Sequence, residues 1–81
     1  MTAKHMMHVF EAGEMGCADG LAQEFRRRLA EVPIGESLEV GVSDPAAKED
    51  LPSLARLLGQ RVTSTEAHDD GHLTITVERQ K

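Results

Sequence analysis

Aromatic side chains are nearly missing from this 81-residue chain: Phe10 and Phe25 are the only two, with no tryptophan or tyrosine. Proteins that hold single-stranded nucleic acid use aromatic rings as stacking platforms, so that equipment is lacking here. The one cysteine, Cys17, excludes an intramolecular disulfide and any zinc site built from several thiolates of this chain. No apolar run approaches the roughly 20 residues that cross a bilayer, and the N-terminal residues lack the apolar stretch of a secretion signal. These absences lead us to expect a soluble, cytoplasmic protein without membrane association. A reducing compartment would keep Cys17 as a free thiol.

Positive charge is also scarce. Nine Lys and Arg face fourteen Asp and Glu, for a formal net charge of −5, and the sequence pI is about 5.2. Such a balance opposes stand-alone binding to a phosphate backbone. Three of the nine cations are consecutive, however: Arg26, Arg27 and Arg28. They fit a solvated helix face, or a patch that docks an acidic partner or an RNA backbone. The length predicts one domain spanning 1–81, with 1–5 as a loose tail. A domain this small buries only about 60% of its unfolded surface, so Leu, Val, Ile, Met and Ala must build an economical core.

The patterning predicts six elements. Met6 to Glu11 reads as a first strand, and two glycines within 12–16 suit a turn leading into Cys17. From Gly20 to Val32 the period is helical, with Leu21, Ala22, Phe25, Leu29 and Val32 on one face. Asp19 is the expected N-cap, and Pro33 with Gly35 ends the segment. Leu38, Val40 and Val42 then alternate with Ser37, Glu39 and Gly41, as in a half-buried strand. Asp44-Pro45 opens a second helical stretch with Ala47, Leu51, Leu54, Ala55 and Leu58 on one face. Pro52 predicts an interruption: a short turn near 46–49, then a helix that takes the proline in its first turn, stopping at Gly59. Arg61 to Ala67 and Leu73 to Arg79 flank His68-Asp69-Asp70-Gly71-His72 as a hairpin. Two helices with one apolar face each can cover one side of a four-stranded sheet, giving a two-layer α+β fold of order β-α-β-α-β-β.

Gly35-Glu36 at a strand start, Asp44-Pro45-Ala46 at a turn, Asp50-Leu51-Pro52 at a helix start and Gly59 before the third strand follow one another at characteristic spacings. This pattern resembles the TusA/SirA sulfur-carrier family. The resemblance implies a mixed four-stranded sheet with two helices on one face, the SirA-like sandwich. It also implies a cysteine between the first strand and first helix that carries sulfur as a persulfide, here Cys17. The implied activity is that of a sulfurtransferase or sulfur-carrier protein. It takes sulfur from a donor of the cysteine desulfurase or rhodanese type and passes it to an acceptor protein, for tRNA thiolation or other sulfur metabolism. No cofactor and no metal are implied. Members carry Cys-Pro-x-Pro with a glycine three residues before the cysteine. In this chain Cys17 is followed by Ala18, Asp19 and Gly20, and Glu14 stands at the upstream glycine position. Loss of both prolines also suits an alternative: a partner-binding or regulatory module of the same fold, without sulfur chemistry. Direct RNA binding, by analogy with an initiation-factor domain of similar topology, is disfavoured by the charge and the missing aromatics.

The chemistry of Cys17 has a physical basis. Backbone N–H groups and the positive end of the macrodipole at a helix start both favour thiolate, the form that attacks a sulfur donor. Asp19, two residues on, opposes that ionisation, and Ala18 and Gly20 hold the loop less firmly than prolines would. Other clusters read as structural. His5, Met6, Met7 and His8 do not make a metal site. His68 and His72 are expected as exposed turn residues. Asp44, Glu49 and Asp50 are placed for capping rather than acid–base work.

Overall fold

Strand β1 (His8–Gly13), helix α1 (Leu21–Ala30), strand β2 (Ser37–Val42), helix α2 (Pro45–Leu57) and strands β3 (Arg61–Ala67) and β4 (Leu73–Glu78) follow the expected order. The computed structural model describes residues 8–16 and 19–81. The expected tail, Met6 and Met7 of the first strand, Cys17 and Ala18 lie outside the described residues.

The sheet runs β1-β2-β4-β3. β1 is parallel to β2, and the other two pairings are antiparallel. A parallel pair needs a crossover, which α1 supplies. Register sets Phe10 beside Val40, Val40 beside Ile75, and Val62 beside Val77. One face is therefore a continuous apolar surface, and its Phe10, Leu38, Val40, Val42, Ile75 and Val77 are buried. Side chains alternate across a strand, so the other face takes Val9, Glu11, Glu39, Thr74 and Thr76. The two helices cover the apolar face, and one hydrophobic cluster joins both layers. β3 contributes little to it. Only Val62 packs against the cluster, and beyond the bulge between Val62 and Ser64 the strand is exposed.

Leu21, Phe25 and Leu29 recur every fourth residue and are buried along α1. Phe25 is fully enclosed, a burial that contributes roughly 1.5–3 kcal/mol. After Ala30 the chain tightens: the Glu31 N–H donates to the Arg28 carbonyl and the Val32 N–H to the Leu29 carbonyl. That final turn keeps Val32 in the core. On α2 the buried set is Ala47, Leu51 and Ala55. The helix ends as a Schellman motif: Gly59 (φ +81°) donates to the Arg56 carbonyl and Gln60 to the Ala55 carbonyl.

Two expectations are corrected. α2 is not interrupted at Pro52 but runs unbroken from Pro45 to Leu57 with Pro52 inside it. Asp44 accepts the Ala47 N–H at 3.0 Å and Pro45 occupies the first turn, so the helix is nucleated well before Pro52. Buried Leu51 and Ala55 on either side of the proline hold its frame. Asp19 is not the cap of α1. The N-cap is Gly20, in the left-handed region at φ 83°, and no side chain caps that end.

Candidate functional site at the strand ends

Because β1 and β2 are parallel and each leads into a helix, α1 and α2 both begin at the same edge of the sheet. In open sheets with parallel strands, the crevice outside the carboxyl ends of those strands is the usual place for chemistry. The Ser43 N–H donates to the Gly13 carbonyl at 2.7 Å, tying the two strand ends together. Past that link come Gly16 on one chain segment and Asp44 on the other. A side chain added at Gly16 would begin in ordinary van der Waals contact with the Asp44 carboxylate, 3.4 Å from Oδ2.

The turn into α1 is closed by backbone and side chain together. The Asp19 N–H donates to the Gly16 carbonyl at 3.0 Å, and the Leu21 N–H reaches the same oxygen at 3.3 Å. The Asp19 carboxylate folds back to accept the Gly16 N–H at 3.0 Å. That contact explains why Asp19 does not cap the helix: its oxygen is committed upstream, and the left-handed turn at Gly20 carries the chain into α1. Cys17 and Ala18 lie between Gly16 and Asp19 in the sequence and outside the described residues. Two carboxylates, Asp19 and Asp44, thus flank Gly16, while the positive ends of two helix dipoles lie on the same edge.

Beside the first turn of α1, a mostly apolar groove of about 130 Å³ is lined by Leu21, Ala22, Asp50, Leu51 and Leu54. The arginine run faces elsewhere and is largely engaged. Glu24 receives hydrogen bonds from both Arg27 and Arg28, Arg27 also reaches Glu31, and Arg28 lies over the Phe10 ring, 4.6 Å from its centroid. Hydrogen bonding from Arg27, then from Arg28, holds the Glu24 carboxyl down at about 2. Arg26 has no such partner among the described residues.

A match to the TusA family model, described as sulfurtransferase TusA, spans residues 24–79. The chain belongs to the TusA family. A relative in Archaeoglobus fulgidus, described as "Putative sulfur carrier protein", is 38% identical over 53 residues, covering 65% of this chain and 69% of that protein. The resemblance in the strand and helix motifs of the second half is thereby borne out, and so is the mixed-sheet sandwich. The matched stretch begins seven residues beyond Cys17 (24 against 17).

Among the described residues no three His, Cys, Asp or Glu side chains gather in a metal-holding group, and no helix is long and apolar enough to cross a membrane. His8, read with the N-terminal His/Met run, pairs with Glu36 at 3.0 Å. Of the hairpin histidines, His68 is exposed as expected and His72 is half-buried. Their rings stack 5.2 Å apart, His68 Nε2 meets the Thr74 hydroxyl at 2.8 Å, and His72 lies 3.6 Å from Glu11. Gly41, without a side chain, leaves room for His72 and Glu11 across β2. Asp44 caps α2, as expected from its place before Pro45. Its nearness to Gly16, 28 positions away, went unseen in the sequence because it depends on parallel pairing of β1 with β2.

Proposed function

We propose that the chain is a sulfur carrier in which Cys17 takes up a sulfur atom as a persulfide and hands it to an acceptor protein. The Cys17 thiolate attacks the terminal sulfur of a donor's cysteine persulfide. A new S–S bond forms on Cys17, the donor's S–S bond breaks, and the donor cysteine leaves as thiolate and recovers a proton. The exchange conserves sulfur oxidation state overall and needs no separate oxidant. Delivery is the same displacement with the acceptor as nucleophile. Donors of the cysteine desulfurase or rhodanese type, and acceptors serving tRNA thiolation or other sulfur metabolism, fit this role in a reducing cytoplasm.

The observation that carries the reading is the convergence of the α1 and α2 starts beside Gly16, which is covalently joined to Cys17. Two helix N-termini favour an anionic sulfur in that neighbourhood. The hydrogen bonds that Asp19 and Asp44 accept from Gly16 and Ala47 offset part of their opposing charge. Family membership and the name of the archaeal relative support the same role.

The test is mass spectrometry of the chain after incubation with a cysteine desulfurase, cysteine and pyridoxal phosphate, or with a persulfidated rhodanese. The expected result is one added sulfur, removed by thiol reductant and missing from Cys17→Ala. Equal loading of that variant would refute the proposal. A second reading, a partner-binding module without sulfur chemistry, is favoured by the family match starting after Cys17 and by the missing prolines. It requires that Cys17→Ser leave cellular function intact.

A further inference from the structure

At the opposite end of α1 from Gly20, a pocket of about 180 Å³ opens between the two helix C-termini and the end of β4. Arg26, Arg79 and Lys81 line it over a floor that includes Leu29 and Leu58, and no carboxylate side chain belongs to its lining. In a chain with a net charge of −5, such a local excess of cations needs a cause.

Neutralising the helix ends accounts for only part of it. Arg79 Nη1 donates to the Ala30 and Val32 carbonyls, and its Nε to the Lys81 backbone oxygen. Those bonds pin the guanidinium and, among the described residues, leave Nη2 over. Gln60 holds the segment that follows: its Oε1 accepts the Gln80 and Lys81 N–H groups, and its Nε2 donates to the Lys81 backbone oxygen. The Lys81 side chain is laid against Gly59, where any Cβ would collide with it. Arg26 completes the set, alone of the three consecutive arginines in having no acidic partner among the described residues.

We propose that this pocket binds a phosphate group, free or as a phosphate monoester. Three cationic groups approaching from α1, from the end of β4 and from the following segment suit a tetrahedral dianion with several acceptor oxygens. A planar carboxylate would be satisfied by one arginine alone. This pocket lies at the end of α1 away from Gly16, and the proposal does not depend on sulfur transfer.

The experiment is titration of the ¹⁵N-labelled full chain with inorganic phosphate, followed by NMR against sodium chloride at matched ionic strength. Saturable shifts centred on Arg26, Gln60, Arg79 and Lys81 are expected, with a dissociation constant on the order of 1 mM. Arg26→Gln and Lys81→Gln should each weaken binding about fivefold while leaving the amide spectrum of the fold intact. A parallel titration with adenosine monophosphate separates the sources: tighter saturation points to a phosphoester, equal saturation to free phosphate. Shifts that never saturate, follow chloride equally, or persist unchanged in the double variant overturn the proposal.

Discussion

Arg79 donates a hydrogen bond from Nη1 to the carbonyl oxygen of Val32 at 2.7 Å, across 47 residues of sequence, and the same nitrogen reaches Ala30 at 3.1 Å. The last strand thereby fastens the end of the first helix. Backbone bonds reinforce it, since the Gly35 N–H donates to the Arg79 carbonyl and the Arg79 N–H to that of Glu36. Arg79→Met would keep most of the stem and leave both carbonyls without this donor. A loss of about 1–3 kcal/mol is expected from urea unfolding. Arg79→Lys should recover only part, because one ammonium cannot reproduce the guanidinium geometry. An unchanged midpoint in Arg79→Met would show that the fastening is dispensable.

Asp44 has two separable roles, as cap of α2 and as a charge beside Gly16. Asp44→Asn keeps a capping oxygen, so stability should change by no more than a few tenths of a kcal/mol, whereas Asp44→Ala should cost about 1 kcal/mol. Removing the charge should also move ionisation of the Cys17 thiol to lower pH. The rate of iodoacetamide alkylation against pH reads this directly. A profile that stays put in Asp44→Asn would mean the carboxylate does not act on the thiol.

Glu24 makes stability depend on acid. Its carboxyl is lowered from 4.5 to about 2, chiefly by hydrogen bonding from Arg27 and then from Arg28. A group depressed by folding stabilises the native state above its unfolded value, and that contribution disappears as pH falls through the folded one. The window is therefore from about 4.5 down to about 2. Carbon-13 NMR should place the Glu24 midpoint near the lower figure, and Arg27→Ala should raise it. Salt should weaken the effect, since the pair is partly exposed. A midpoint close to 4.5 in wild type would contradict the geometry.

Pro52 occupies the interior of α2 and cannot donate a backbone hydrogen bond there. Pro52→Ala should stabilise the domain by about 2 kcal/mol, being the helix-interior penalty of proline less the restriction it imposes on the unfolded chain. Thermal and urea unfolding would measure it. A destabilised variant would show that the ring's packing outweighs the missing bond.

The element order was legible because each signal is local. Alternation at Leu38, Val40 and Val42 and the four-residue recurrence of Leu21, Phe25 and Leu29 need only neighbours to be read, and Gly59 and Asp44 marked ends through their own backbone chemistry. Local reading erred where two local rules competed. Pro52 argued for a break, yet an early start at Asp44 and burial of Leu51 and Ala55 outweighed it. Asp19 offered a good cap, but its carboxylate found the Gly16 N–H instead. Cys17 was legible as the candidate thiol, whereas the meeting of Asp19 and Asp44 at Gly16 was not.

From residue order alone came the periodicities, the turn chemistry and the family motifs of the second half, since each is written within a few neighbouring positions. Folding decided what those pieces meet. Parallel pairing of β1 with β2 brought Asp44 beside Gly16, and the register of β4 against β2 carried Arg79 to the carbonyls that close α1. Such meetings arise from strand pairing and helix packing over tens of residues, and no local pattern encodes them.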